Sequence, residues 1–432
     1  MRYKLSDLPA LLATPAGRIQ VRRGFGYHSW PVTSRVAQLY RTTIARRTRV
    51  VAVVGSFGKT TTARASAAAL GLSELPAMQN SFNAIARAML RIAPAQRHAV
   101  IEAGIADVGQ MKPYARTIRP DIAVVTAIGS EHHRSLHTLE VTRDEKAWMV
   151  RALPKNGLAV LNGDDPNVMW MRGATSAQIV TFGFGESCDV RARNLRIDWP
   201  HGSRFDLVAL GEEAHAVRVR LVGREMVAAA LAAIAVARRE GVALADALAR
   251  LATLAPTTGR MDPVALANGA IVLRDDCKGA FETIEAALVA LGQIQAQRRI
   301  AVLGEINEPQ MPQRAYYRAI GGRAASVASL LVLVGRMQDA YSVGARRAGM
   351  PKEAIIDGGR TTTSAAAVLA PLLREGDVVL IKGRGTQMLD RIRLILEGRI
   401  VRCDISMCPL RAMSCAECPM LERGWEGRRP VI

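Results

Sequence analysis

The segment Gly55-Ser-Phe-Gly-Lys-Thr-Thr-Thr62 constrains this chain more than any other. It follows the β-branched run Arg49-Val-Val-Ala-Val-Val54 and precedes the stretch Ala63 to Leu70, so a strand must turn sharply into a helix. Glycines let backbone N–H groups approach phosphate oxygens, and the helix N-terminus favours an anion. Lys59 can neutralise β- and γ-phosphates, and Thr60 or Thr61 can reach Mg²⁺. Gly55, Ser56, Gly58, Lys59, Thr60 and Thr61 are therefore candidate ATP contacts, with Lys59 catalytic. Val53 stands where the first glycine of G-x-x-x-x-G-K-[ST] belongs, which points away from generic nucleotide hydrolases.

Around this loop, apolar strands at 99–104, 121–129 and 157–165 alternate with helical stretches until about residue 180. A helix over 34–47 feeds the first strand, and a β-rich patch over 180–222 precedes an alanine-rich helix at 224–240. A second alternating unit begins near Pro256, with strands at 271–276, 299–304, 330–335 and 377–383. The fold class is α/β: a phosphate-loop ATPase domain with a mostly parallel sheet, then a Rossmann-like domain. The expected boundaries are a basic N-terminal arm at 1–48, an ATP-binding domain at 49–255, a second domain at 256–400 and a cysteine-rich tail at 401–432. Ligands in such sheets bind beyond the carboxyl ends of the strands, which points to a catalytic site between the two domains.

With 49% hydrophobic and 22% charged residues, the composition is that of a globular protein. The longest uncharged apolar run, Val227 to Ala237, is far short of the roughly 20 residues of a membrane-spanning helix, and no secretory signal opens the chain. A cytoplasmic location is expected. The net charge is +20, and the first 50 residues hold ten Arg or Lys against Asp7 alone. Such an arm suits an anionic membrane surface or an anionic substrate. A high-arginine codon bias explains the charge equally well, since 50 of the 58 basic residues are Arg.

Downstream of the loop come Ser81-Phe-Asn83, Ile101-Glu-Ala-Gly104, Thr126-Ala-Ile-Gly-Ser-Glu-His132, Asp144-Glu-Lys146, Leu161-Asn-Gly-Asp-Asp-Pro166 and Gly259-Arg-Met261. In this order, and with G-x-x-G-K-T-T after a hydrophobic strand, the chain resembles the Mur ligase family over roughly residues 35–400. The resemblance implies an ATP-dependent ligase that activates a carboxylate as an acyl phosphate and joins it to an amine, releasing ADP and phosphate. It implies Glu102 and His132 as Mg²⁺ ligands with Thr60. It implies Lys146 as the lysine that becomes carbamylated to hold a second Mg²⁺, although Trp148 replaces the usual acid two places later. Asn162 would close the nucleotide side, Arg260 would approach the ATP phosphates, and Asp275 or Asp276 would contact the ribose or position the nucleotide. His132, Lys146 and Arg260 join Lys59 as candidate catalytic residues.

The chain departs from that pattern at Cys277-Lys-Gly-Ala-Phe-Glu-Thr283, which leaves Lys278 unassigned, and at Arg384, where the family's K-G-S segment would follow Lys382 with serine. Only 48 residues precede Arg49, too few for the UDP-sugar-binding domain of the peptidoglycan-building members. Two other readings compete. A folylpolyglutamate-type ligase would share the motifs. A nucleic-acid-binding phosphate-loop ATPase would suit the charge, but aromatics are 4% and the arm lacks interleaved rings for base stacking.

Cys403, Cys408, Cys415 and Cys418 lie within sixteen residues. In a chain read as cytoplasmic such thiols suit metal better than disulfides, so a structural zinc site is expected there.

Overall fold

The computed structural model describes residues 5–73, 80–309, 312–408, 414–418 and 420–424. The chain divides into two compact units. One runs from Arg23 to Ala255; the other joins the residues up to Arg22 with those from Pro256 onward. The expected tail falls partly outside the described residues, at 409–413, 419 and 425–432.

The first unit is built on one eight-stranded sheet: β1 (Arg49–Val54), β2 (His98–Glu102), β3 (Ile122–Val125), β4 (Leu158–Asn162), β5 (Gln178–Gly183), β6 (Val190–Asp198), β7 (Gly202–Ala209) and β8 (Glu212–Val219). Its spatial order is β2-β1-β3-β4-β5-β6-β7-β8. Neighbours are parallel through β6, after which β6, β7 and β8 form antiparallel pairs. The continuous Val-Val-Ala-Val-Val run of β1 is explained by burial on both faces. Val51 and Val53 pack with the helices Lys59–Ala69 and Arg224–Arg239, while Val50, Ala52 and Val54 pack with Asn83–Leu90, Met111–Ile118 and Leu139–Arg151.

The helix expected over 34–47 occupies Trp30–Thr42 instead. Pro31 suits its first turn, where a missing N–H costs nothing. Thr42 and Thr43 end it, their hydroxyls bonding back to the carbonyls of Gln38 and Leu39. Arg41 within this helix is buried and reaches Ile118 O, Arg119 O, Ala45 O and the Asp121 carboxylate, the last at 2.8 Å.

The second unit carries β9 (Asp262–Ala265), β10 (Ile271–Asp275), β11 (Arg298–Leu303), β12 (Leu330–Leu333), β13 (Ile355–Asp357) and β14 (Asp377–Lys382). The order is β13-β12-β11-β14-β10-β9, parallel except for the antiparallel edge strand β9. No helix among the described residues is long and apolar enough to cross a membrane.

Candidate active site

The loop leaving β1 is shaped by groups from the carboxyl ends of neighbouring strands. Gly55 has φ 147°, and a Cβ there would meet Thr126 Oγ1 at 2.0 Å; Gly58, at φ 80°, caps the helix Lys59–Ala69. Thr126, just beyond β3, donates to Val54 O and to Phe57 O, and Ser56 N donates to Ala127 O at 2.7 Å. Any side chain at position 55 would therefore collide with Thr126, so only glycine lets the loop lie this close to the end of β3.

Lys59 is buried. Its ammonium donates to Gly55 O at 2.8 Å and Ser56 O at 2.9 Å, and meets Glu131 Oε2 at 3.3 Å. Lys146, on the helix Leu139–Arg151, is only 1% exposed and donates to Ser56 Oγ at 3.2 Å. That hydroxyl is fixed in turn by Gly129, donating to its carbonyl at 3.1 Å and accepting from its N–H at 2.9 Å. Two lysines thus converge on one loop residue. Burial, reinforced by the charge of Lys59 and only partly opposed by Glu145, drives the Lys146 ammonium well below the usual lysine range.

Glu102 ends β2 opposite Val53 and accepts from Asn80 Nδ2 at 2.7 Å. His132 has φ 58°, and its Nε2 lies 3.6 Å from Glu131 Oε1, so it reaches Lys59 through that carboxylate. Asn162 donates to Thr126 O at 2.7 Å, tying the end of β4 to the loop's support. Asp165 caps its helix through Asn167 N and Val168 N, and its other oxygen accepts from Ile128 N at 2.8 Å. Lys59, Lys146, Ser56, Glu131 and His132 form one connected cluster; Glu102 and Asn162 stand at the carboxyl ends of β2 and β4, on either side of β1 and β3. Sequence reasoning gave no role to Glu131, although it lies inside a quoted motif, nor to Asn80, just before another.

In the second unit, Asp275 and Lys382 are register partners on β10 and β14 and form a buried ion pair at 2.5 Å. Lys382 is therefore committed to Asp275. Arg274 meets Asp390 at 2.7 Å and Asp276 at 3.5 Å. Arg260 donates its backbone N–H to Thr257 O, while its buried Nε lacks a hydrogen-bond partner among the described residues. Cys277 packs beneath Gly259, where a Cβ would sit 2.7 Å from its sulfur, and burial pushes its thiol up to about 11.

Burial, with Asp390 adding to it and Arg274 opposing, raises Asp276 to about 6 from 3.8. The folded unit then keeps a proton that the unfolded chain releases, so between about pH 4 and 6 stability falls as pH rises. The shift corresponds to about 3 kcal/mol at most. We expect Asp276→Asn to flatten that decline in melting temperature; a decline of the same depth in the variant would assign it to another group.

Cys403 and Cys408 are buried with Met388, Ile405 and Met420. Burial raises the Cys415 thiol to about 12, and its surroundings include Cys403, Cys408, Arg391 and Asp390. Among the described residues, no group of three or more His, Cys, Asp or Glu stands ready to hold a metal, these cysteines included. Arg391 is 1% exposed and spends its guanidinium on Gln387 O, Met388 O, Cys403 O and Ile405 O.

The donor chemistry fits Mg²⁺ and a nucleotide. A hydroxyl at Thr60 and a carboxylate at Glu102 are hard oxygen donors, and Mg²⁺ characteristically takes only one or two carboxylates, completing its shell with water and phosphate.

The Mur ligase middle domain matches residues 53–237, and the Mur ligase glutamate ligase domain matches residues 259–385. The UDP-N-acetylmuramoyl-tripeptide–D-alanyl-D-alanine ligase of Mycobacterium tuberculosis is 32% identical over 373 residues, 81% of this chain and 72% of that one. Among solved structures, MurF from Acinetobacter baumannii superposes with a TM-score of 0.76 at 22% identity, covering 86% of this chain and 81% of its own. The Mycobacterium tuberculosis folylpolyglutamate synthase superposes at 0.67 with 16% identity, covering 91% and 99%, a likeness of fold. With both domain matches in sequence order and the phosphate loop built as described, this chain belongs to the Mur ligase family, ATP-dependent ligases that join a carboxylate to an amine.

Proposed function

We propose that this ligase uses Lys59 to stabilise the phosphoryl group in transit to a carboxylate, and Lys146, as its carbamate, to help hold Mg²⁺. The observation that carries this reading is the convergence of both lysines on Ser56, one paired with Glu131 and the other driven toward its neutral form. A neutral amine is the nucleophile that adds to CO₂; the nitrogen lone pair forms the C–N bond, one proton leaves the nitrogen, and the amine becomes a carboxylate-bearing ligand. Thr60, Glu102 and His132 would complete the protein's share of the metal site. Mg²⁺, when bound, neutralises developing charge on the phosphates.

Arg260 would serve as a phosphate contact, since its buried Nε is a donor awaiting an acceptor. Asn162 would support the nucleotide side. Asp275 and Asp276, engaged with Lys382 and Arg274, would act by positioning the β10 end. The substrate carboxylate attacks the γ-phosphorus and expels ADP; the amine then attacks the acyl carbon, losing a proton as phosphate leaves.

For substrates, the 32% identity to a UDP-N-acetylmuramoyl-tripeptide–D-alanyl-D-alanine ligase supports a peptide carboxylate and a D-amino-acid dipeptide amine. Work on nucleotide-linked precursors suits the cytoplasm. The test is phosphate release from ATP with paired acids and amines. Release that requires both a peptide acid and D-alanyl-D-alanine is expected; release requiring folate and glutamate instead would overturn the substrate assignment.

A zinc reading of the tail is supported by donor chemistry and by the nearness of Cys415 to Cys403 and Cys408. Metal content of the purified protein, near one zinc per chain or near none, decides it.

A further inference from the structure

The amino-terminal ends of the first unit's strands carry a cavity of about 710 Å³ that none of the ligase chemistry uses. Its lining comes from segments just ahead of β1, β3 and β4: Arg46 before Arg49, Arg119 to Asp121 before Ile122, and Arg151 to Asn156 before Leu158. The phosphate loop leaves the carboxyl end of β1, so the strand's six residues, roughly 20 Å, separate the two places.

The lining is of nearly one sign. Arg46, Lys112, Arg116, Arg119 and Arg151 are exposed there, and Arg41 lies beneath them. Asp121 is the only acid in the lining, and it is already engaged by Arg41 Nη2 at 2.8 Å and Val50 N at 2.7 Å, with Arg49 at 3.9 Å. Among the described residues, no carboxylate pairs with Arg46, Lys112, Arg116 or Arg119. Lys112 and Arg151 both lie over the Trp148 ring, at 4.4 and 5.1 Å from its centroid. Their stems and the ring give the cavity an apolar wall.

Arg41 has a structural role, because it satisfies buried carbonyls. Arg46, Arg116 and Arg119 do no comparable work through their side chains. Holding several uncompensated cations around one concave surface costs stability through repulsion, and low-dielectric walls focus their field onto whatever enters. The volume lies in the range of small-molecule sites. Guanidinium groups in number match phosphate oxygens, with two-pronged hydrogen bonds from each.

We propose that this cavity is a second anion site, opposite the nucleotide loop, that takes a ligand bearing two or more phosphate groups. Two of its residues, Arg41 and Arg46, belong to the basic segment at the start of the chain, so the site gives that charge a specific place. A soluble polyphosphate compound and the clustered phosphates of an anionic lipid surface offer the same chemistry.

The test uses the full chain with its nucleotide loop saturated by ADP in excess Mg²⁺. Calorimetric titration with sodium triphosphate is expected to show one further site, weakened by added salt. Co-sedimentation with phosphatidylglycerol vesicles, against phosphatidylcholine alone, reports the lipid source. Arg46→Gln with Arg116→Gln should weaken whichever binding is seen by at least about tenfold. Both side chains are exposed, so the melting temperature and the ligase turnover without triphosphate should stay as in wild type. Binding to triphosphate alone assigns a soluble ligand, and binding to vesicles alone assigns a headgroup. Binding of neither, or binding unchanged in the double variant, overturns the proposal.

Discussion

Lys59→Ala is expected to lower ATP turnover by at least about a hundredfold, the range seen when one preorganised electrostatic donor is removed from a transition state. The wild-type ammonium is held by Gly55 O, Ser56 O and Glu131, so the groups that would release it to a phosphate are already beside it. The same contacts give the substitution a stability effect that the sequence did not disclose. A buried side chain that partners two carbonyls and a carboxylate is not a solvated lysine, and its loss should cost about 1–3 kcal/mol. Phosphate release and melting temperature, measured together, separate the two effects. Turnover within threefold of wild type would remove Lys59 from the reaction.

The second large effect is expected at Lys146. Lys146→Ala should reduce turnover by about a hundredfold or more, because the metal site loses an anionic ligand. Formate or acetate should restore part of it by placing a small carboxylate in the vacated space. A role confined to packing predicts no such rescue, since the lost volume is that of a buried lysine whatever carboxylate is added. Labelled bicarbonate offers an independent readout: a carbamate carbon resonance in wild type that is missing from the variant. Full activity in the variant, or lost activity with neither rescue nor resonance, would refute the carbamate.

How far these residues were legible in sequence depends on how far apart their partners lie. The loop from Gly55 to Thr62 could be placed because the strand, the turn and the helix are contiguous, and each leaves its own local mark. Glu102 and Asn162 were singled out by the resemblance of their motifs to the Mur ligase family, and the structure puts both at the carboxyl ends of parallel strands. Glu131 was different: nothing local shows that a carboxylate 72 residues from Lys59 meets its ammonium. The Asp275–Lys382 pair spans 107 residues and follows only from β10 lying beside β14. Alternation also concealed how the first sheet is completed. The patch at 180–222 reads as β-rich, but its antiparallel pairing in β6, β7 and β8 depends on turns that carry no period of their own. The Trp30–Thr42 helix was misplaced because its end is set by hydroxyls bonding backward, which competes with apolar spacing.

Arg391 gives the second unit an order in time. Its guanidinium lies inside the unit, yet two of its acceptors, Cys403 O and Ile405 O, come after every strand of the sheet. During synthesis, the six strands can therefore emerge and pair while Arg391 still lacks those partners. Gln387 O and Met388 O precede it in the chain, but burying a guanidinium that has only half of its carbonyl acceptors is disfavoured, so until residues 403–405 have been made the region around Arg391 should stay open to water. Closure of this unit is thus tied to a short segment outside its sheet, and the nascent chain reaches its final packing late.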